Sequence, residues 1–251
     1  MAKPKQRLDL LLVDKGFYPS RQKAQAAILA GEVLVNDVPI TKAGTLIDPD
    51  ENIRIKESSP YVSRGAWKLL HALETFKLSP KDQVAIDIGA STGGFTQVLL
   101  EKGAKLVYAI DSGTNQLDWK LRSDPRVICR ENTNARYLKP EDFDPKPSFA
   151  TIDVSFISIT KILPALIKVL EPDFTIICLI KPQFEVGSAY VGAKGFVEPK
   201  HHHLAWESVL ACASELSLHN TDIIPSPITG QKSGNQEYLV AFFSQPTRRN
   251  P

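Results

Sequence analysis

Charged side chains end four apolar segments of the sequence. Asp87 and Gly89 end the first, and Asp111, Asp153 and Lys181 end the three others. Carboxylates and a lysine that meet in a folded protein can bind polar groups of a ligand and move a proton. The alternative to a ligand site is a purely structural ion pair between Lys181 and Asp153 at the ends of two strands, because single polar residues often end strands.

The stretch DIGASTGGF, residues 87–95, connects the first of these segments to a helical pattern. Its glycines lie at 89, 93 and 94, and Ser91 occupies the second glycine position of the dinucleotide fingerprint G-x-G-x-x-G. Asp111, 22 residues after Gly89, suits the ribose of any adenosine ligand. The spacing favours S-adenosylmethionine, whose ammonium group Asp87 would meet, and leaves open a dinucleotide or a purely structural turn.

Strand and helix patterns alternate from about Ser63 onward. The candidate strands are QVAIDI, KLVYAID, RVICR, SFATIDV and FTIICLIK, with DIIPSPI and EYLVAFF as a further antiparallel edge. Such alternation predicts an α/β fold, a doubly wound and mostly parallel Rossmann-like sheet with helices on both faces. Ligands bind at the carboxyl ends of strands in these sheets, so the charged residues should meet there.

A separate α+β pattern precedes this region. The segment RLDLLLVDKG predicts one helix, and Ser20 is a suitable N-cap for a second, RQKAQAAILA. EVLVND, turning at Asn36-Asp37, and NIRIK predict short strands. The expected organisation is a small domain at 1–57, a linker at 58–64 and a large domain at 65–251.

The composition is that of a folded globular protein, with 43% hydrophobic and 23% charged residues and a net charge of +2 over 251 residues. Cys129, Cys178 and Cys212 are far apart and form no CxxC, which favours a reducing cytoplasm over disulfides or zinc. No apolar run approaches the roughly 18 residues of a membrane span. Histidines 201–203 predict a solvated helix surface rather than a metal site, because consecutive helical residues point in different directions.

Eight segments taken together indicate a known family. They are YVSRGAWKL, DIGASTGGFTQVLL, QLDWKLRSDPRV, ENTNAR, IDVSFISI, LIKPQFE, SPITG and GNQEYL. This combination resembles the TlyA family of ribosomal RNA methyltransferases, whose members are often labelled haemolysins. The N-terminal RLDLLLVDKGFYPSRQKAQAAILAGEVLVN resembles that family's αL-type RNA-binding module. The catalytic part also resembles the FtsJ class of ribose methyltransferases.

The resemblance implies S-adenosylmethionine as cofactor and 2′-O-methylation of a ribose, typically of a cytidine, in ribosomal RNA. The catalytic residues it implies are Lys68, Asp153, Lys181 and Glu237. Together with the loop pattern it indicates a cofactor site of Asp87, Gly89, Ala90, Ser91, Gly93, Gly94, Phe95 and Asp111. Lys181 is expected to act as the base, since it follows the apolar TIICLI and Lys68 would be a neighbouring cation.

Four basic side chains near the start of the chain are predicted to contact RNA phosphates: Lys5, Arg7, Arg21 and Lys23. A solvated tail explains the same charge. Arg64 is expected either to bind the RNA backbone or to hold the linker through an acid such as Glu57.

The expected partner is ribosomal RNA or a ribosomal subunit, in the cytoplasm and away from membranes. The short ends of the chain favour the large subunit. Three alternatives stay open at this point: a non-enzymatic RNA-binding assembly factor with a methyltransferase fold, a membrane-lytic protein and a dinucleotide oxidoreductase.

Overall fold

The computed structural model of the protein describes residues 4–56, 59–231 and 233–245. The chain divides into two compact units, Met1–Pro60 and Tyr61–Pro251. The division falls within the expected linker, whose residue 58 lies outside the described residues together with Glu57.

The first unit combines two helices with short antiparallel strands. Its elements are β1 Gln6–Arg7, α1 Leu8–Asp14, α2 Arg21–Leu29, β2 Val33–Val35, β3 Val38–Pro39, β4 Leu46–Ile47 and β5 Ile53–Ile55. Ser20 caps α2 as predicted, because its side chain accepts a hydrogen bond from the Lys23 N–H. Asn36 and Asp37 adopt φ values of 49° and 64°, which the tight turn between β2 and β3 requires.

The second unit alternates strands and helices. Its helices are α3 Gly65–Phe76, α4 Gly94–Glu101, α5 Trp119–Arg122, α6 Leu163–Val169, α7 Pro182–Glu185 and α8 His202–Glu215. Its strands are β6 Val84–Ile88, β7 Leu106–Ile110, β8 Val127–Arg130, β9 Phe149–Ile152, β10 Thr175–Ile180, β11 His219–Asn220, β12 Ile224–Pro225 and β13 Tyr238–Phe243. Each strand predicted from the sequence of this unit is present, and β11 is an addition.

These strands form one sheet in the order β11-β13-β10-β9-β6-β7-β8, with β12 paired to β13. Strands β6 to β10 run parallel, and β13 is antiparallel to β10. Strands β7 and β8 lie on one side of β6, and the next strand in the chain, β9, lies on the other side of β6. The carboxyl ends of β6 and β9 therefore form the switch point at which sheets of this kind bind ligands.

Alternate residues of the strands bury themselves on opposite faces of the sheet. Ile86, Ile88 and Cys178 pack with α6 and α8, whereas Ala85 and Leu179 pack with α3 and α4. Two apolar cores thus hold helices on both faces and fix the strand ends that carry the charged residues. The predicted α/β, Rossmann-like fold class is confirmed.

Candidate active site

The order of the strands places four predicted residues along one edge of the sheet. Lys181 follows β10, Asp153 follows β9, Gly89 follows β6 and Asp111 follows β7, and these strands are neighbours in that order. A cavity of about 380 Å³ opens at this edge and is lined by Lys68, Gly89, Asp153 and Lys181 among others. The sheet topology thus brings together residues that are widely separated in the chain.

The first of two lysine–carboxylate pairs joins the ends of β9 and β10. Lys181 Nζ lies 2.6 Å from Asp153 Oδ1 and donates a hydrogen bond of 3.1 Å to Ser155 Oγ. The Asp153 Oδ1 atom is buried, and among the described residues no aligned hydrogen-bond donor reaches it. The contact is therefore an ion pair that joins the ends of β9 and β10.

The second pair joins α3 to the residue before β13. Lys68, in the first turns of α3, donates a 2.6 Å hydrogen bond to Glu237 Oε2, and the two side chains are 11% and 3% exposed. Glu237 comes close to Lys181 because β13 pairs with β10, with Tyr238 opposite Ile180. Lys68 is therefore a paired cation rather than a free one.

A positive φ and close packing together explain two glycines of the loop. A Cβ at Gly89, whose φ is +83°, would lie 2.3 Å from the carbonyl oxygen of Asp153. A Cβ at Gly93, at φ +100°, would lie 2.2 Å from Leu121 Cδ1. Gly89 thus lets β6 approach β9 at the switch point, and Gly93 turns the chain into α4.

Asp111 lies beside this loop in a second cavity of about 530 Å³ that shares Gly89, Ser91 and Asp153 with the first. Its Oδ2 accepts a 2.8 Å hydrogen bond from the Ser91 N–H and its Oδ1 a 2.7 Å bond from the Gly113 N–H. A carboxylate has about four lone-pair sites, so the two backbone bonds fix its orientation and leave sites for two ligand hydroxyls.

Asp87 occupies a different environment from the one its position suggests. It is fully buried, and its oxygens accept hydrogen bonds of 2.7 Å and 2.8 Å from the hydroxyls of Thr96 and Thr151. Burial raises the pKa of this carboxyl to about 6, although both hydroxyls favour the charged form. Asp87 lines neither cavity, so in this structure it holds β6, β9 and α4 together instead of facing the ligand space.

Most of the other residues predicted to bind the cofactor line one of the two cavities. Ala90, Ser91, Gly94 and Phe95 line the first cavity, and Gly93 lines neither of the two. Lining residues not predicted as site residues include Ser155, Phe156, Thr133, Asn134, Thr229 and Gln231. Ser155 and Phe156 follow Asp153 within the segment IDVSF, and their closeness to Asp153 in the sequence is the feature that could have identified them as lining residues.

A buried carboxylate organises the basic residues of the first unit. Asp9 is 0% exposed and accepts hydrogen bonds from Arg7 at 3.0 Å, Arg21 at 2.9 Å and Gln25 at 2.7 Å. These bonds, with that of Arg7 the largest cause, hold the pKa of Asp9 well below its usual range. Both guanidinium side chains stay about half exposed, so they face solvent from fixed positions.

The remaining predicted RNA-binding residues are in simpler settings. Lys5 and Lys23 are exposed and form no ion pair with a described residue. Arg64, in the second unit, lines the first cavity and donates a 3.3 Å hydrogen bond to the Thr229 carbonyl. The acid suggested as its alternative partner, Glu57, lies outside the described residues.

The prediction of a solvated histidine surface is wrong for His202. This side chain is 3% exposed, with Nδ1 2.9 Å from the Tyr238 hydroxyl and Nε2 3.0 Å from the Val197 carbonyl oxygen. It shares the buried face of α8 with Ala205, Val209 and Ala213. Within the described ranges, no group of three His, Cys, Asp or Glu side chains is placed to hold a metal ion.

Among the residues whose structure is described, no helix combines the length and the apolar character needed to cross a membrane.

Comparison with known proteins gives two family matches. The FtsJ-like methyltransferase family matches residues 61–243, and the S4 domain matches residues 6–53. The 16S/23S rRNA (cytidine-2′-O)-methyltransferase TlyA of Mycobacterium tuberculosis is 42% identical over 247 residues, covering 96% of this chain and 91% of that protein. The 23S rRNA (cytidine-2′-O)-methyltransferase TlyA of Campylobacter jejuni is 45% identical, covering 74% and 72%.

A solved structure extends the similarity to three dimensions. The structure of a candidate hemolysin from Streptococcus thermophilus has a TM-score of 0.73 and 46% identity, covering 96% of this chain and 89% of that one.

Proposed function

Because the chain belongs to the TlyA family of FtsJ-like methyltransferases, with an S4 domain before the catalytic unit, we propose that it methylates a ribose 2′-hydroxyl of ribosomal RNA. The observation that carries this proposal is the convergence of two lysine–carboxylate pairs on one cavity beside the glycine loop. A weakly acidic hydroxyl needs a base and a fixed direction of attack, and this arrangement offers both.

The chemistry of the second cavity suits S-adenosylmethionine. Asp111 offers two oriented carboxylate oxygens to ribose hydroxyls, and Ile110, Ala135 and Ile157 add apolar surface for a purine. Gly89 and Ser91 border both cavities, so the methionine part would extend along the loop toward Lys181. When bound, the cofactor supplies a methyl group made electrophilic by the sulfonium.

The residues of the chain provide the proton transfer and the alignment. Lys181 is the proposed base and would accept the proton of the ribose hydroxyl at its Nζ, while the bound cofactor would supply the methyl group. Asp153 and Ser155 hold Lys181 Nζ in the cavity, at 2.6 Å and 3.1 Å. Lys68, held by Glu237, stabilises negative charge that develops on the attacking oxygen.

The S4 domain supports RNA as the macromolecular substrate, with Arg7 and Arg21 offering fixed guanidinium groups to phosphates. The two TlyA relatives act on cytidine, and both modify the 23S RNA by name, so we favour a cytidine of the large subunit. The cytoplasm, where ribosomes assemble, is the location that this substrate implies.

The test is transfer of radiolabelled methyl from S-adenosylmethionine to purified large and small ribosomal subunits that lack the modification. Wild type is compared with Lys181→Met and with Lys105→Met, a matched change of an exposed lysine just before β7, at the opposite end of the sheet. Cofactor binding is measured separately by calorimetry. We expect label on the large subunit with wild type and Lys105→Met, and none with Lys181→Met despite intact cofactor binding.

Near-normal transfer by Lys181→Met would show that Lys181 is not the base. No label on either subunit from a wild-type chain that binds the cofactor would favour the non-enzymatic assembly factor instead.

A further inference from the structure

A third cavity, of about 590 Å³, adjoins the two lysines of the proposed active site. Lys68, Lys181 and Glu237 line it, as do Phe184 of α7 and Lys194 of the loop that follows α7. The proposed methyl transfer uses Lys68, Lys181 and Glu237 but gives no role to Lys194.

Lys194 differs from the other two lysines of this cavity in its electrostatic environment. Lys68 is paired with Glu237 and Lys181 with Asp153. Lys194 is exposed and forms no ion pair with any residue in the described part of the chain. Its positive charge is therefore available to an anionic group that enters the cavity.

The backbone at Lys194 is held in an unfavourable conformation. Its φ of 57° and ψ of 19° lie in the left-handed region, which side chains with a Cβ rarely adopt. The surrounding turn is closed by the Gly192 N–H, which donates a 2.8 Å hydrogen bond to the Phe196 carbonyl, and by a bridge between Val191 and Val197. Strain of this kind persists where neighbouring structure enforces it, and it is common at ligand sites.

A buried amide connects this turn to the active site. Asn235, 1% exposed, accepts a 2.9 Å hydrogen bond from the Val197 N–H at Oδ1 and donates one of 2.9 Å to the Gly195 carbonyl. Its Nδ2 also donates, at 2.9 Å, to Gln183 Oε1 of α7, the helix that begins directly after Lys181. Asn235 thus fixes the turn of Lys194 relative to the proposed base.

We propose that Lys194 binds a backbone phosphate of the RNA substrate at the entrance to the active site, and that Asn235 is the positioning residue for its loop. A ribose whose 2′-hydroxyl reaches Lys181 must bring its flanking phosphates to the rim of this cavity. A lysine there acts as a point charge that orients the strand without reading its sequence. The inference rests on the proposed function.

The test compares Lys194→Asn with Lys194→Arg and with Lys105→Asn as the control. Asparagine tolerates the left-handed conformation, so the first variant removes the charge and keeps the turn. Steady-state methyl transfer is measured against large subunits lacking the modification, over a series of potassium chloride concentrations at fixed magnesium.

We expect Lys194→Asn to raise KM for the subunit about two- to fivefold at low salt, the range of one exposed ion pair. The slope of log KM against log salt should fall by about 0.7, as for one phosphate contact on a single strand. The kcat value should not change. Lys194→Arg should restore both KM and slope, and Lys105→Asn should match wild type.

Asn235→Ala gives the independent check on positioning. It should raise KM in the wild-type background and have no further effect on KM in the Lys194→Asn background, because the contact it supports is already absent.

A wild-type KM and salt slope in Lys194→Asn, or an equal change in Lys105→Asn, would overturn the inference while methyl transfer itself stood. No transfer by the wild-type chain would instead overturn the proposed function, and this inference with it.

Discussion

The buried pair of Lys68 and Glu237 allows stability and catalysis to be separated by a double-mutant cycle. The changes are Lys68→Met, Glu237→Leu and the two combined. Each single change leaves an unpaired charge among side chains that are only 11% and 3% exposed. The double change removes both charges and replaces them with apolar groups of similar volume.

The expected cost of each single change is about 3 kcal/mol, the lower end for breaking a buried ion pair, because Lys68 borders a cavity that water can enter. For a unit of this size that corresponds to a fall in Tm of roughly 6–12 °C. The double variant should regain most of the loss, to within about 1 kcal/mol of wild type. All three variants should have lost methyl transfer.

Differential scanning calorimetry and chemical denaturation measure the cycle. Glu198→Gln, in an exposed pair with Lys200, serves as the control and should leave Tm unchanged because solvent screens that pair. A double variant as unstable as the sum of the two single variants would refute the reasoning, since it would show that the two charges do not stabilise each other in the folded state.

Two further predictions concern the cofactor loop. Asp87 has a folded-state pKa of about 6, above its ordinary value, so the folded protein keeps this proton up to a higher pH than the unfolded chain does. The free energy of unfolding should therefore fall by about 2 kcal/mol between pH 4 and pH 7 because of this group. Urea denaturation should show a smaller fall in Asp87→Asn, and parallel curves for the two proteins would contradict the assignment. Gly89→Ala should abolish cofactor binding in calorimetry, because its Cβ would lie 2.3 Å from the carbonyl oxygen of Asp153. The control is Gly16→Ala, where φ is +76° and no atom lies within 4 Å of the added Cβ. This variant should lose only about 1–2 kcal/mol of stability and bind the cofactor normally. Normal cofactor binding by Gly89→Ala would show that the close approach of β6 and β9 is not needed.

Local patterns in the sequence determined the elements and much of the site. Helix α3 covers GAWKLLHALETF, and the apolar runs became the parallel strands of the sheet, because periodic burial and backbone preference act over a few residues. The same local logic placed Asp111, Asp153 and Lys181 at strand ends. The family motifs then indicated four catalytic positions, whose roles remain predictions.

The tertiary structure alone decided which of these groups face each other. Lys68 and Glu237 are 169 residues apart, and they meet only because β13 pairs with β10 beside the first turns of α3. The fold also places Asp87, whose role toward the ligand stays a prediction, in buried contact with Thr96 and Thr151, and the packing of α8 buries His202. Periodicity reports whether a residue is buried, but the partner it meets depends on long-range pairing, which no short segment contains.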